Sequence, residues 1–175
     1  MTKLNSLGAR IEPLDGPLPR MDFHWDAETE ILSGTAADVQ GERGLTGSIE
    51  LEDARGAVVT LDFAGGAMRG VEVVVWPAGR TDERLHPPTP ASTGRFVVPG
   101  RPSQPGVAVV EVDIALAVES SRDESVMHLR VGPRRGSTAV QLAENLLIEV
   151  DAEGEITGFW LLEVPAFPQG KPLVP

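Results

Sequence analysis

The sequence predicts a mainly β protein: two similar antiparallel β-meander halves, packed as a pseudo-symmetric sandwich or half-barrel with little helix. Three observations support this prediction. A pattern of apolar strand, glycine turn, apolar strand and proline occurs twice, as VVTLDFAGGAMRGVEVVVWP at 58–77 and as LLIEVDAEGEITGFWLLEVP at 146–165. Apolar and polar residues alternate, as they do when successive side chains of a strand face opposite ways. The 19 glycines and 15 prolines among 175 residues favour short strands joined by turns.

The first predicted repeat spans residues 1–77. Met21, Phe23 and Trp25 are expected to share one face of its opening strand, which a turn at 26–29 joins to a second strand. SIELE at 48–52 alternates cleanly, and the turn that follows reverses the chain into a strand around residues 59–63. VEVVVW at 71–76 is apolar on nearly both faces, so we expect it to be a central strand.

Residues 78–106 are predicted to be a proline-rich linker, and residues 166–175 a proline-rich tail. Proline lacks the amide hydrogen that a central strand needs, so the linker is not expected inside a sheet. Within the linker, RFVV at 95–98 is expected to dock as an edge strand.

The second predicted repeat spans residues 107–165 and begins with the longest predicted strand, Val110 to Val118. A turn at 120–124 leads to a strand at 126–131. Residues 137–145 are compatible with a strand or with one helical turn. The matching parts of the two repeats, residues 20–77 and 107–165, have only about 60 residues each, a size at which burial is marginal. We therefore expect the two repeats to cover each other's apolar faces in one compact unit.

Composition excludes several classes of function. The net charge of −11 is unfavourable for binding the phosphate backbone of nucleic acids. The absence of cysteine excludes disulfides, thiol nucleophiles and cysteine-zinc sites. The N-terminal segment lacks the apolar run of a signal peptide, and no apolar stretch reaches the length of a membrane span. These features lead us to expect a cytoplasmic bacterial protein that binds neither nucleic acid nor membrane.

The end of the second repeat carries a family resemblance. IEVDAEGEITGF at 148–159, the WLLE that follows it, and RDESV at 122–126 resemble the bacterial family of domains of unknown function numbered 2283. The resemblance covers residues 118–165, and residues 22–77 more loosely through the repeat. The family's opening strand usually has a Leu-Tyr pair, where this chain has His128-Leu129. The resemblance implies a β-rich fold and no known activity, and it assigns no functional residues.

Polar candidates for a site are few. Asp22, His24 and Asp26 would point the same way from one strand, and imidazole with carboxylates can bind a divalent metal or transfer protons. The alternative is a solvated outer face opposite the apolar residues. His128, between two apolar residues, is expected to face outward or to cap a polar spot. DAEGE at 151–155 resembles a calcium loop but has the length of a hairpin turn, which Gly154 favours. No catalytic residue and no cofactor is predicted.

The tryptophans and the repeat lead to two functional hypotheses. Trp76 and Trp160 end the two repeats and are expected in the core, whereas an exposed Trp25 beside an acidic face would indicate a ligand platform. The first hypothesis is a non-catalytic protein-interaction or oligomerisation module, forming a homo-oligomer through exposed edge strands. The alternative is a small-molecule- or metal-binding protein or enzyme, with a site between the two halves near Asp22, His24 or His128.

Overall fold

The computed structural model describes residues 5–98 and 108–168, without the side chains of residues 108–110. In these ranges the chain forms fifteen strands and no helix, so nothing helical there has the length and apolarity to cross a membrane. The strands are β1 Arg10–Glu12, β2 Asp22–Asp26, β3 Ile31–Thr35, β4 Gly47–Glu52, β5 Val58–Ala64, β6 Ala67–Val75, β7 Gly79–Thr81, β8 Ser92–Thr93, β9 Arg95–Val97, β10 Ala108–Asp113, β11 Leu116–Ser120, β12 Met127–Val131, β13 Thr138–Ala143, β14 Leu146–Val150 and β15 Ile156–Leu161.

The strands form two sheets, which confirms the predicted mainly β fold. The first sheet has the order β1-β9-β6-β5-β4-β10, and β3 with β2 extends from the same edge of β6 that pairs with β9. The second sheet has the order β7-β11-β12-β15-β14-β13-β8. Both contain a five-strand unit with one connectivity, a hairpin followed by three antiparallel strands. The last of these strands returns beside the hairpin, giving β2-β3-β6-β5-β4 in one sheet and β11-β12-β15-β14-β13 in the other.

The alternation seen in the sequence separates a buried face from an exposed face in each sheet. The buried residues of both sheets join one hydrophobic cluster, with Leu61 and Phe63 from the first sheet and Ile148 and Phe159 from the second each fully buried. Because each sheet alone has a single apolar face to cover, the two sheets exclude water from each other.

The predicted long strand from residue 110 to 118 is wrong. The chain breaks at Ile114 and Ala115 into β10, which pairs in parallel with β4 of the first sheet, and β11, which belongs to the second. The Ile114 N–H donates to the carbonyl of Glu52, 2.9 Å away, where the chain leaves the first sheet. Apolar residues keep their alternation through this crossing, so periodicity alone does not reveal a change of sheet.

The predicted linker contains three short strands. β7 and β8 are the outermost strands of the second sheet, in keeping with its proline content. The prediction that residues 95–98 form an edge strand is wrong, because β1 covers the outer side of β9. Residues 99–106 of the linker and 169–175 of the tail lie outside the described residues. Residues 137–145 form a strand, β13, and the tight turn after it.

The segment between β7 and β8 joins opposite edges of the second sheet. Asp82 donates to the carbonyl of Ser120 on β11 at one edge, and Ala91 donates to that of Ala139 on β13 at the other. The inner face of this sheet packs against the first, so the segment crosses the outer face. Trp160 on β15 is buried although it does not belong to the cluster of the shared core. From the sequence, both Trp76 and Trp160 are expected in the core: Trp160 is buried but lies outside the core cluster, and Trp76 is only partly buried and packs against that cluster.

Asn145 joins the two halves. Its Oδ1 accepts the Met21 N–H at 2.8 Å and its Nδ2 donates to the Met21 carbonyl at 2.9 Å, and all of these groups are buried. The side-chain amide thus makes the two hydrogen bonds that a neighbouring strand would make. Arg20, beside Met21, forms exposed ion pairs with Glu144 and Glu163 around this contact.

Candidate functional site

The residues Asp22, His24 and Asp26 line the exposed side of β2. The Asp26 carboxylate caps its own turn by accepting the N–H groups of Glu28 and Thr29, at 2.9 and 3.3 Å. The Glu28 N–H is the main reason why the pKa of Asp26 lies below its usual value. Across the described part of the chain, no three His, Cys, Asp or Glu side chains are grouped so as to hold a metal.

His128 is in the other sheet from that strand and belongs to a network on the outer face of the second sheet. Its ring stacks on Trp160, with centroids 4.2 Å apart. Its Nε2 lies 2.8 Å from Oε2 of Glu149, whose Oε1 accepts the indole N–H of Trp160 at 3.0 Å. His128 points outward as expected, but its side chain is only 14% exposed.

Gly158 makes this network possible. A Cβ at that position would lie 2.8 Å from the Leu129 carbonyl, 3.0 Å from Oε2 of Glu149 and 3.1 Å from Nε2 of His128. Burial by itself raises the pKa of Glu149, but the hydrogen bonds from His128 and Trp160 outweigh it and hold the pKa below its usual value. Because its members satisfy one another, we assign the network a structural role.

A groove where the two halves meet has a different character, and we call it the aromatic groove. It has a volume of about 350 Å³ and is lined by Trp25, Glu30 and Trp76 from the first half, Val118, Ser120, Glu124 and Met127 from the second, and Phe167 from the tail. It lies at the beginning of β3, where the hairpin turns of the two halves approach each other.

The aromatic rings of the groove are fixed in place. Trp25 and Trp76 stack with centroids 5.5 Å apart, and Phe167 meets Trp25 edge to face at 5.1 Å. Both indole N–H groups are already used, since Trp25 donates to the Pro165 carbonyl and Trp76 to the Glu30 carbonyl, each at 2.8 Å. What the rings offer a ligand is therefore π-surface rather than hydrogen-bond donors.

Two glutamates accompany these rings, one from each half. Glu30 and Glu124 lie in the turns of the corresponding hairpins β2-β3 and β11-β12, and both adopt left-handed backbone conformations, with φ of 60° and 59°. Such a conformation is uncommon for a residue other than glycine and costs about 1 kcal/mol or more. The turns are held by side-chain caps, from Asp26 in one and from Asp123 in the other.

A second space between the halves lies beyond the other end of β3, and we call it the arginine cavity. It has a volume of about 470 Å³. Its walls come from the segment before β2, the loop after β3, strands β6 and β9, and the β13-β14 turn. They comprise Leu14, Asp15, Pro17, Leu18, Pro19, Arg20, Met21, Ala36, Ala37, Asp38, Val39, Gln40, Met68, Arg69, Gly70, Arg95, Phe96, Leu142, Ala143 and Leu146.

Sequence reasoning found part of these sites. It singled out Trp25 as a possible platform beside acidic residues, and it anticipated space between the halves. It placed Glu30 near the acidic candidates of the first strand but missed Glu124 and Phe167, because their positions depend on how turns and tail pack in three dimensions. The nearest available signal was the acidic turn DAETE at 26–30 and its counterpart RDES at 122–125.

Comparison with known proteins assigns no function, so the function is inferred from the geometry of the two sites. No family model matches the chain, and no curated protein matches it. The resemblance to the domain family numbered 2283 accordingly stays a prediction.

Proposed function

We propose that this protein is a non-catalytic recognition module that binds a positively charged side chain, Lys or Arg, of a partner protein in the aromatic groove. The observation that carries the proposal is the pairing of Trp25, Trp76 and Phe167 with Glu30 and Glu124 around one space. Aromatic faces attract cations through their ring quadrupole, and carboxylates add a direct charge attraction.

Charge and exposure support a protein partner. The net charge of −11 attracts basic surfaces over longer distances. Val75, which precedes Trp76 in the chain but does not line the groove, is 47% exposed, more than any other large hydrophobic residue in the described ranges. Aromatic side chains are enriched at the centre of protein interfaces.

The test uses the methyl signals of the four methionines, because Met127 lines the aromatic groove and Met21 and Met68 line the arginine cavity. The probes are a short lysine-containing peptide, choline as a free organic cation, and 3,3-dimethyl-1-butanol as the neutral isostere of choline. We expect the peptide to shift Met127 while Met21 and Met68 stay fixed, with a dissociation constant on the order of millimolar for a single side chain.

Replacing both acids, Glu30→Gln with Glu124→Gln, is expected to weaken peptide binding about tenfold, because two partly screened charge attractions are lost. The matched control is Glu28→Gln with Glu153→Gln, which removes the same charge from exposed turn positions outside the groove. Equal binding by the neutral isostere would contradict the cation requirement. If choline bound but the lysine-containing peptide did not, the proposal of a protein partner would be contradicted.

A second candidate function is self-association through strand edges. Among the described residues β2 pairs only with β3, so its outer edge offers backbone groups to another strand. Antiparallel pairing of two copies would bring Asp22 of one near Asp26 of the other, so removal of one charge by Asp22→Asn is expected to strengthen association. Size-exclusion chromatography with light scattering tests this, and a strict monomer of both proteins across the micromolar range would contradict it.

The origin and location of the module belong to the same proposal. The common strand order of the two five-strand units supports descent from one duplicated unit. The cytoplasm of a bacterium is the proposed location, with composition as its support. Expression of the protein in a bacterial host, followed by cell fractionation, would test the location.

A further inference from the structure

The arginine cavity has the dimensions and position of a ligand site. Its volume of about 470 Å³ falls within the range of about 300–1,000 Å³ typical of small-molecule pockets. Both halves contribute to its walls, so it exists only when they are packed together. It is separate from the aromatic groove, with which it shares no lining residue.

The floor of the cavity is apolar. It consists of side chains that belong to the shared core and are each less than 9% exposed, namely Met21, Met68, Phe96, Leu142 and Leu146. A ligand here would cover core side chains that otherwise border the cavity. This favours a ligand with a hydrocarbon body, since covering apolar surface is the main source of affinity in such sites.

Arg95 supplies the polar end of the cavity. Its guanidinium donates to Oε2 of Glu12 at 3.2 Å, and its Nε is buried without a hydrogen-bond partner in the described structure. A guanidinium has five N–H groups, and a buried N–H left unpaired costs about 1–3 kcal/mol. A ligand oxyanion that drew the side chain toward the cavity would satisfy this donor and gain a charge-assisted hydrogen bond.

The other charges of the lining narrow the choice of anion. All three arginines of the lining pair with carboxylates outside it, Arg20 with Glu144 and Glu163, Arg69 with Asp62 and Arg95 with Glu12. Among the described residues, Arg95 is the one of the three that also has a buried side-chain N–H without a partner. Asp15 and Asp38, both exposed, line the cavity as well. The carboxylates of these two residues repel a bound anion. Water screens this repulsion, but it still disfavours a ligand that has two negative charges. The lining therefore favours a single negative charge placed near Arg95.

We propose that the arginine cavity binds a small amphipathic monocarboxylate, with its carboxylate on Arg95 and its hydrocarbon chain over the apolar floor. The proposal does not depend on the aromatic groove. It gives the protein a second ligand, of opposite charge to the first, at the other end of the junction between the halves.

Octanoate tests the proposal, with octanol and octylammonium as probes of equal chain length and different charge. We expect octanoate to shift the methyl signals of Met21 and Met68, to leave Met127 unmoved, and to raise the melting temperature. Octanol, which is uncharged, and octylammonium, which is cationic, are expected to bind at least about tenfold more weakly than octanoate, because neither offers an anionic acceptor to Arg95. Equal binding of all three probes, or a shift confined to Met127, would overturn the proposal.

Arg95→Gln is expected to weaken octanoate binding at least about tenfold, the loss of one charge-assisted contact. Arg10→Gln is the control, because Arg10 also contacts Glu12, at 3.5 Å, but does not line the cavity. It should change the affinity less than about twofold. Should Arg95→Gln fail to fold, Ala37→Phe replaces it, since Ala37 is an exposed residue of the lining. Unchanged affinity in the folded variant would overturn the proposal.

Discussion

Asn145 is the residue whose contacts most directly join the two halves. Its buried amide donates to and accepts from the backbone of Met21, which directly precedes β2, the first strand of the five-strand unit in the first sheet. A side chain that satisfies two buried backbone groups is replaced at high cost, because both groups lose their partners where water cannot reach them.

Asn145→Ala is therefore expected to destabilise the fold by about 2–4 kcal/mol. Urea unfolding measured by circular dichroism gives this difference directly. Glu144→Ala is the neighbouring control, since it removes only an exposed ion pair with Arg20 and should cost less than about 1 kcal/mol. Similar losses for both variants would contradict the role given to Asn145.

Glu149 makes stability depend on pH. Its pKa is held below the usual value by His128 and Trp160, so its contribution is complete above the unfolded-state pKa of about 4.3 and is lost as the pH falls through the folded-state pKa. Glu149→Gln is expected to cost about 2 kcal/mol at neutral pH, where two hydrogen bonds to a charged acceptor are weakened.

The measurement is urea unfolding of wild type and Glu149→Gln from pH 7 down to pH 3. The difference between the two proteins should narrow as the pH falls below the usual range of a glutamate. A difference that stays constant with pH would mean that Glu149 acts through packing alone.

At the scale of elements, the β5-β6 hairpin shows a local preference overruled by packing. Its turn is Gly65-Gly66, with φ of 56° and 87°, the positive pair that a type I′ turn requires. Asn-Gly is the preferred sequence for this turn. Here, however, a Cβ on Gly65 would lie 2.1 Å from the Gly41 carbonyl oxygen.

Gly65→Asn is thus expected to destabilise the protein by about 1–3 kcal/mol despite matching the turn preference. Gly56→Asn is the control, because Gly56 also has a positive φ, of 88°, but open space around its Cβ position. It should change stability by less than about 1 kcal/mol. The melting temperatures of both variants measure this difference. A Gly65→Asn variant more stable than the wild type would show that the loop at Gly41 moves away at little cost.

The same elements show how far sequence reasoning reaches. Strand positions follow from alternation and turn residues, which are local, so the sequence predicts that Met21, Phe23 and Trp25 share one face and that Gly154 lies in a turn. Sheet membership is not local. The division between β10 and β11, and the position of β9 between β1 and β6, depend on partners distant in sequence. The sites are less predictable again, because Phe167 and Arg95 reach them only through the packing of complete halves.

For the whole molecule, the shared core predicts a single unfolding transition. Trp25 and Trp76 report on the first half and Trp160 on the second, so Trp160→Phe and the double variant Trp25→Phe with Trp76→Phe isolate the fluorescence of each half. Within each variant, the fluorescence midpoint should coincide with that of circular dichroism. A fragment of residues 114–168 alone is expected to be unfolded, because its apolar face has no cover. A cooperatively folded fragment would contradict the shared core.

The parallel pairing of β10 with β4 has a consequence for synthesis on the ribosome. The paired residues that begin these two strands, Gly47 and Ala108, lie 61 positions apart in the chain. β10 is therefore translated long after its neighbour β4, and until then that edge of β4 has unpaired amides and carbonyls. A nascent chain stalled within the proline-rich stretch is then the species most exposed to aggregation or to chaperone capture.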